Sequence, residues 1–429
     1  MSVVNIVVVG LGSVGLPMAV WLANKGYSVL GVDLNKEHIK AINLGQTDLL
    51  EVVPGDGDFS TLLRDCLHSN SLTVTSEYQR MSAGEHIFLV TVGIPVNSDG
   101  SCDYGPLSSC LANLVKMIRR GDLVMIKSTL VPGTMYELII PALRSSGLII
   151  GEDIAVAYCP ERLAEGSALL DFDGVTRLVT AEDSFSLKRA LAFWRQVSTA
   201  ECIPLQTYLI AELAKVLENL HRDANIALSN ELFPLVNQLG LEFGELEAAV
   251  NTHPRVKMLS PGAGVGGHCL PNALYYLVPV AARYGIPLDL GKLARKINAN
   301  RPEQVAQSAI DLCRSLRGEV GPMVILGVGM KDNCADTRYS PALDLARILQ
   351  DQGVEVRLYD PVVYETTDDL QAVLAGATAA IVTAYQSGMG SEEILAAIAA
   401  QEKPPLLLDS RGKISKIAAA KLGVEVYYV

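Results

Sequence analysis

The first part of the chain, up to Asp33, constrains the fold most strongly. The run Ile6–Val9 is apolar and β-branched, which is typical of a strand buried on both faces of a parallel sheet. Gly10, Gly12 and Gly15 follow at the spacing G-x-G-x-x-G, before an apolar helical segment and a second strand that ends at Asp33. This order of strand, tight turn, helix and strand predicts an α/β domain that binds a dinucleotide.

Each polar or glycine position in this segment has a physical role. The first glycine makes the turn, the second admits the pyrophosphate, and the third lets the helix pack on the sheet with its positive N-terminus at the phosphates. The Asp33 carboxylate can bind both ribose hydroxyls of NAD and repels the 2′-phosphate of NADP, although Lys36 lies close enough to weaken that preference. We therefore expect NAD as the cofactor.

The uncharged stretch from Val3 to Ala23 is long enough for a membrane helix of roughly 20 residues, or could be taken for a signal peptide. Three glycines and Pro17 interrupt it, and no Lys or Arg precedes it. The pattern of strand, turn and helix explains it better, so we expect no membrane segment and a cytoplasmic protein.

Composition limits the remaining possibilities. A length of 429 residues predicts two or three domains. The net charge of −12 and the lack of a long basic run make nucleic acid an unfavourable partner. The eight cysteines are scattered, without a C-x-x-C or Cys/His cluster, so we expect no metal site and free thiols in a reducing compartment.

A second α/β pattern lies near the other end of the chain. Met323–Lys331 is an apolar strand that ends in glycines, and the strand VEVRLYDP ends at Asp360. We predict the α/β class, with two Rossmann-like doubly wound parallel-sheet domains joined by a long central helix. The expected domains are an NAD-binding domain over 1–200, a central helical domain over 201–300 and a C-terminal Rossmann-like domain over 301–429.

The centre of the chain has helical periodicity. From about Gln206 to Leu239 glycine does not occur before Gly240, and apolar residues recur at helical spacing, with Pro234 as a possible kink. Such a helix between two α/β domains is a natural place for subunits to pair, and we expect a homodimer. Periodicity alone does not distinguish this from a helix buried within one subunit.

A glycine-rich loop, SPGAGVGGHCLPN, occupies Ser260–Asn272 and carries Cys269. Its glycines allow tight folding and close approach to a ligand. A thiol on such a loop suits a covalent role, because a nucleophile must be reachable by substrate. A lone cysteine is more often buried and inert, so the prediction depends on partners elsewhere in the chain.

Polar residues follow two predicted strands. The segment KSTLVPGT, Lys127–Thr134, follows the strand DLVMI, and Glu161 and Glu165 follow the strand IAVAY. Ligands bind at the carboxyl edge of an α/β sheet, which is where these segments should lie.

On the central helix, Lys215 and Asn219 are four residues apart and share a face. We interpret Glu212 and Glu218 on the same helix as ordinary surface charges.

Together these motifs resemble the UDP-glucose/GDP-mannose dehydrogenase family, the nucleotide-sugar 6-dehydrogenases. The similar segments run nearly from end to end: VVGLGSVGLPMA, KSTLVPGT, CPERLAEG, AELAKVLEN, PGAGVGGHC and LGVGMKDNCADTRYSPALDL. The run NTHPRV looks most like the branch that oxidises UDP-N-acetylmannosamine and related N-acetylhexosamines. The resemblance implies a four-electron oxidation of a sugar C6 alcohol to a carboxylate with two NAD, for surface polysaccharide precursors.

The resemblance also implies roles for single residues. Cys269 would attack the intermediate aldehyde and form first a thiohemiacetal and then a thioester. Glu161 would orient or activate the hydrolytic water, and Lys215 with Asn219 would stabilise an oxyanion. Thr129 would hold water or the substrate oxygen and would also adjoin the cofactor.

By resemblance the C-terminal domain over 301–429 would bind the nucleotide-sugar, and further positions would contact NAD or this substrate. By resemblance Glu165 would touch the nicotinamide end of NAD, and Gly266 would line the substrate site. Lys331 and Arg338 match a basic pair near the nucleotide, which suits a diphosphate. Arg255 would reach the substrate of the partner subunit.

The chain departs from the family where the pattern C-x-x-x-D, usually followed by proline, should follow the cysteine. Ala273 occupies the aspartate position and Leu274 the proline position. Asn272 can form a hydrogen bond but takes no proton near neutral pH. The segment TVGIPVNSDG also lacks the Thr-Pro pair of the family, which weakens the expected cofactor contact there.

Several functions therefore stay open. The enzyme could be complete with Glu161 as the base, could stall at the aldehyde or thioester, or could be an altered paralogue that binds NAD and nucleotide-sugar with partial or no turnover. UDP-glucose is an alternative substrate. A non-enzymatic NAD-sensing protein would not need so many reactive groups, and a β-hydroxyacid dehydrogenase would need neither Cys269 nor the second α/β domain.

Overall fold

A computed structural model describes residues 5–49, 51–54, 57–81, 84–164, 166–363, 366 and 369–429. The chain forms two compact units. The first comprises the chain up to Glu218 together with Tyr275–Ile286, and the second comprises Asn219–Leu274 together with Pro287–Val429.

The first unit is built on a sheet with eight described strands: β1 (Asn5–Val9), β2 (Ser28–Val32), β3 (Leu72–Thr75), β4 (His86–Val90), β5 (Leu123–Ile126), β6 (Ala155–Tyr158), β7 (Arg177–Thr180) and β8 (Cys202–Leu205). Their order is β3-β2-β1-β4-β5-β6-β7-β8. All neighbours are parallel except β6 and β7. The apolar strands are buried on both faces, as expected for a sheet covered by helices.

Seven described α-helices precede the central helix: α1 (Gly15–Asn24), α2 (Lys36–Asn43), α3 (Phe59–His68), α4 (Gly105–Met117), α5 (Ile140–Arg144), α6 (Ala168–Gly174) and α7 (Ser184–Val197). A π-helical turn, Met135–Ile139, leads into α5. Ile6, Leu16, Met125 and Trp194 belong to the core that these helices form with the sheet.

The central region is helical: α8 (Tyr208–Gln238), α9 (Phe243–Asn251), α10 (Cys269–Arg283) and α11 (Asp289–Arg317). The long helix predicted over Gln206 to Leu239 corresponds to α8, which continues through Pro234 without a break in helical structure. Among the helices that the structure describes, none is both long and apolar enough to cross a membrane.

The second unit contains a parallel sheet of five described strands: β9 (Met323–Leu326), β10 (Val356–Tyr359), β11 (Ala379–Val382), β12 (Leu406–Asp409) and β13 (Val426–Tyr428). Their order is β10-β9-β11-β12-β13. Helices α12 (Pro341–Asp351), α13 (Leu370–Leu374), α14 (Ser391–Ala399) and α15 (Lys416–Lys421) connect them. The predicted α/β class, with two parallel-sheet domains and a long central helix, is confirmed.

Candidate active site

The glycine turn after β1 has the shape that a dinucleotide requires. A Cβ added at Gly15 would lie 1.8 Å from the Gly10 carbonyl oxygen, so α1 starts this close to β1 only with glycine there. A Cβ at Gly12 would meet no described atom within 4 Å, which leaves that backbone open to a ligand. Beside it, Asp33 Oδ2 accepts the N–H of Leu11 at 2.8 Å. The open turn and the fixed carboxylate fit the pyrophosphate and ribose of NAD.

The corresponding turn after β9 is closed by its own chain. A Cβ at Gly329 would lie 2.0 Å from the Cys334 carbonyl oxygen. The Asp360 carboxylate accepts the N–H groups of Val328 and Gly329 at 2.7 and 3.0 Å, and these are donors that a bound phosphate would otherwise use. Of the two glycine turns, the N-terminal one is therefore the one suited to a dinucleotide.

A buried ion pair joins the segments that follow β5 and β6. The Lys127 side chain is 0% exposed, and its Nζ lies 3.1 Å from Glu161 Oε2. The same Nζ lies 3.3 Å from Cys159 Sγ and 4.5 Å from the centre of the Trp194 ring. Burial raises the pKa of the Cys159 thiol, although the charge of Lys127 opposes this effect. Glu161 is thus the anion that compensates the buried ammonium.

Backbone contacts fix the orientation of Glu161. Its N–H donates to the Lys127 carbonyl oxygen at 2.9 Å, and its Oε1 accepts the N–H of Arg162 at 2.9 Å. Within the described chain Oε2 has no hydrogen bond of good angle, although Lys127 Nζ is close. This oxygen is buried and faces the ammonium, so the ion pair holds one end of the carboxylate in place. Thr129 is half-buried two residues after Lys127.

Helix α8 presents Lys215 and Asn219 one turn apart, and both side chains are buried in the folded chain. Lys215 belongs to the first unit and Asn219 to the second. Their shared helix face is as predicted.

The interpretation of Glu212 as a surface charge is wrong. Glu212 is 0% exposed, and its carboxylate accepts the N–H groups of Gly133 and Met135 at 2.7 and 2.8 Å. These donors stand where the segment after β5 turns into helix, and early helical N–H groups lack partners in their own helix. Burial raises the pKa of Glu212. Glu218 is half-buried and forms an ion pair with Arg162 at 2.7 Å.

In the second unit a buried polar network holds the start of the cysteine loop. Arg295 and Asn298 each donate to Asp223 Oδ1 at 2.8 Å. Asn230 donates to Asn298 Oδ1 at 2.9 Å and accepts the N–H of Gly262 at 2.9 Å. These side chains lie at polar positions of α8 and α11 and were not predicted from the sequence. Their bonds fix the backbone from which the glycine loop begins.

Cys269 is the first residue of α10 and is exposed, whereas the other seven cysteines are buried or half-buried. The loop before it packs closely, since a Cβ at Gly266 would lie 2.8 Å from the Tyr339 carbonyl oxygen. The His268 ring meets the Tyr339 ring edge-on at 4.5 Å. Burial and, secondarily, the charge of Arg338 lower the pKa of His268. The thiol is therefore presented at a helix start by a tightly packed loop.

Helix α10 explains what the departure at Ala273 removes. A residue four positions after Cys269 lies one turn along the same helix face. Ala273 and Leu274 are buried, with 1% and 4% exposure, and Asn272 is half-buried. A carboxylate at position 273 would lie one helical turn from Cys269, but in this chain that position carries only the methyl group of alanine.

Two basic residues that follow β12 were not predicted from the sequence. Arg411 and Lys413 both contact Asp332 Oδ2, at 3.1 and 2.8 Å. Their signal was the run DSRGK directly after a buried strand, at the edge where ligands bind. Arg338, which was predicted, pairs with Asp336 through Nε at 2.8 Å.

The remaining predicted residues lie in connecting segments. Lys331 is half-buried between β9 and α12, and Arg255 is exposed between α9 and α10. Glu165 lies outside the described residues. Tyr276 of α10 was not predicted, yet its hydroxyl donates to the Ile94 carbonyl oxygen at 2.7 Å and so holds the segment after β4. The described residues contain no group of three or more potential ligands that could hold a metal.

An open dinucleotide turn in the first of two α/β domains indicates a dinucleotide-binding protein. The chain belongs to the UDP-glucose/GDP-mannose dehydrogenase family, which comprises NAD-dependent nucleotide-sugar dehydrogenases. It matches the NAD binding domain of that family over residues 4–197, the central domain over 210–300 and the UDP binding domain over 324–416. The predicted family and the NAD cofactor are confirmed.

Individual relatives agree with this assignment. The chain is 34% identical to a UDP-N-acetyl-D-mannosamine dehydrogenase of Pyrococcus horikoshii over 88% of each chain. It is 30% identical to a UDP-N-acetyl-D-glucosamine 6-dehydrogenase of Pseudomonas aeruginosa, over 84% of this chain and 83% of the relative. A solved structure of the UDP-D-ManNAc dehydrogenase from Pyrococcus horikoshii superimposes with a TM-score of 0.85 at 30% identity, over 99% of both chains.

Proposed function

We propose that this protein oxidises the C6 hydroxyl of a UDP-N-acetylhexosamine, with UDP-ManNAc as the first candidate, to the uronic acid. The observation that carries the proposal is the exposed Cys269 at the start of α10 in a chain that matches all three family domains. The run NTHPRV and the 34% identical mannosamine relative favour this sugar.

The cofactor is held at the N-terminal turn by Gly10, Gly12 and Gly15, with Asp33 on the ribose and Thr129 nearby. Bound there, NAD supplies the hydride acceptor for both oxidations. Glu165 and Arg338 are further cofactor contacts in this proposal. Because Arg338 pairs with Asp336 in the folded chain, it must exchange that carboxylate for a phosphate when it binds a nucleotide.

Side chains of the protein assist the first oxidation and form the covalent intermediate. Lys215, aided by Asn219, stabilises the developing negative charge on the substrate oxygen. Once the C6 aldehyde has formed, the Cys269 thiolate adds to its carbon and gives the alkoxide form of the thiohemiacetal. This alkoxide loses a second hydride from C6 as its C–O bond becomes the thioester carbonyl. Lys331 and Gly266 contact the nucleotide-sugar, and Arg255 reaches the substrate of a partner subunit.

Hydrolysis of the thioester completes the reaction. A water oxygen bonds to the acyl carbon, the C–S bond breaks, and the electron pair leaves on the Cys269 sulfur. Glu161 holds this water and takes its proton. Since Ala273 supplies no carboxylate, we infer that this step is slow and that the acyl-enzyme accumulates.

We further propose a homodimer that pairs through α8. Ile210, Leu217, Leu228 and Leu235 are each between 46% and 55% exposed. Their spacings of seven and eleven residues return to the same face of a helix with 3.6 residues per turn. These four exposed apolar side chains form a stripe along α8, and such a stripe suits a symmetric interface between two subunits.

The proposed localisation is the cytoplasm, where the free cysteines would stay reduced and the acid would enter precursors of surface polysaccharide. UDP-glucose is the alternative substrate. An altered paralogue with partial turnover is the alternative role, and the buried Ala273 favours it. The exposed thiol and the retained Glu161 favour an active enzyme.

The test is the NADH yield per substrate molecule for UDP-ManNAc, UDP-GlcNAc, UDP-GalNAc and UDP-glucose, with the mass of each product. Two NADH and a uronic acid from one N-acetylhexosamine are expected. A single NADH with an aldehyde product would favour the altered paralogue, and no NADH from any of the four would contradict the proposal.

A further inference from the structure

Lys127 is a buried cation without an assigned role. It stands at the end of β5, its side chain is 0% exposed, and its Nζ contacts Glu161 Oε2 at 3.1 Å and Cys159 Sγ at 3.3 Å. Burial raises the pKa of the Cys159 thiol, which keeps this neighbour neutral. Among the described contacts of Nζ, the Glu161 carboxylate is therefore the one anion.

Three contacts constrain the Glu161 residue. The Lys127 carbonyl oxygen accepts the Glu161 N–H, the Arg162 N–H binds Oε1, and the Lys127 ammonium lies beside Oε2. The ammonium itself has little freedom, because it is enclosed and also lies over the Trp194 ring. Oε2 is buried against the ammonium, while the Glu161 side chain as a whole is 11% exposed. A carboxylate held by its buried oxygen keeps one orientation, which is the arrangement needed to act on a directed water.

We propose that Lys127 is the positioning residue for Glu161 in thioester hydrolysis, because its buried ammonium holds the buried Oε2 and so fixes the orientation in which the carboxylate meets the attacking water. The inference rests on the proposed function. Ala273 makes the role of Lys127 more important, since the chain lacks the second carboxylate that could organise this water. Glu161 must then hold the water alone, and any freedom of its side chain slows the step directly.

The test separates chemistry from folding. Lys127→Met removes the charge and keeps the length of the side chain. Arg177→Met is the matched control, because Arg177 is also a buried cation over the Trp194 ring, at 4.3 Å, but has no described contact with Glu161. Rapid-quench mass spectrometry and NADH absorbance then follow adduct formation, acid release and the hydride steps of each variant.

In Lys127→Met we expect acid release to slow by about 10- to 100-fold, the typical cost of a misplaced catalytic group, while the hydride steps and the substrate KM change by less than about 3-fold. The adduct on Cys269 should accumulate to a higher level than in the wild type. Glu161→Gln should show the same defect, and the double variant should be no worse than Glu161→Gln, since the two residues act as one unit. Lys127→Arg should recover part of the loss.

Equal slowing of the hydride steps and of acid release, or a Lys127→Met profile like that of Arg177→Met, would show a merely structural lysine. Additive losses in the double variant would also contradict the proposal. If Lys127→Met does not fold by thermal melting, Lys127→Gln, which keeps a hydrogen-bond donor, is measured in the same way. A wild-type protein that makes no NADH refutes the proposed function and the role of Lys127 with it, whereas a normal wild type beside an unaffected variant refutes only the latter.

Discussion

Replacing Glu212 with alanine should destabilise the protein far more than replacing Glu218, six residues further along α8. The buried Glu212 carboxylate binds the N–H groups of Gly133 and Met135. Truncation leaves the buried Met135 N–H without an acceptor, at a cost of about 1–3 kcal/mol, and removes one methylene at about 0.8 kcal/mol. Relief of the desolvated charge offsets part of this. We expect a loss of about 2–3 kcal/mol in the free energy of unfolding.

The Glu218→Ala control removes a carboxylate from the same helix, but from a side chain that is partly exposed instead of buried. Its ion pair with Arg162 joins side chains that are 33% and 26% exposed, and such pairs contribute about 0–1 kcal/mol. Urea denaturation followed by circular dichroism compares the variants. In thermal melts Glu212→Ala should lower Tm by about 5–10 °C and Glu218→Ala by less than about 4 °C. Equal shifts would refute the anchoring role of Glu212.

The pH dependence gives an independent check. Burial raises the native pKa of Glu212 above its ordinary 4.5. Between 4.5 and the native pKa the folded protein binds more protons than the unfolded chain, so its stability falls as pH rises through this window. The stability advantage of wild type over Glu212→Ala should therefore be larger near pH 4.5 than well above it. An advantage that grows with pH would contradict the assignment.

Four further outcomes are expected. Cys269→Ser should abolish acid formation in product assays and leave NAD affinity nearly unchanged in titrations; full acid production would remove the covalent mechanism. Asp33 should give a higher kcat/KM with NAD than with NADP, and comparable values would contradict this. Ala273→Asp should speed acid release and reduce the adduct seen by intact-mass spectrometry, and a neutral or harmful effect would place the base elsewhere. Burial, with the charge of Arg80 in addition, lowers the native pKa of His86 below 6.5. The unfolded chain then binds more protons below pH 6.5, so the denaturation midpoint should fall as pH drops through this window, and in His86→Gln it should not.

The elements that the sequence predicted are those defined by local pattern. The glycine turn after β1 and the helix α8 each depend on residues within one short stretch, so periodicity and glycine spacing are sufficient. The observed bounds Tyr208–Gln238 lie within two residues of the predicted helix. Cys269 could be singled out in the same way, because its glycine loop is contiguous.

The contacts that were missed join residues distant along the chain. Glu212 and Glu218 look alike on a helical pattern, and what buries Glu212 is a backbone segment 79 residues away. Lys127 and Glu161 could each be placed after a strand, but not paired, because their contact depends on the packing of β5 beside β6. Burial of a charged side chain is a property of tertiary neighbours, which the local sequence does not contain.

The position of Ala273 on α10 also explains why we expect hydrolysis of the thioester to be the slow step. Helix α10 places position 273 one turn from Cys269, so in our proposal the carboxylate that the resemblance implies is absent at a defined point on the helix, and the loop has not shifted. Asn272 does not replace it, since an amide takes no proton near neutral pH and adjacent helical residues face in different directions. In our proposal the remaining carboxylate is Glu161, and its geometry is set by Lys127 and Arg162. The rate of acid release should therefore respond to residues behind Glu161 more strongly than it would in a relative that keeps both carboxylates.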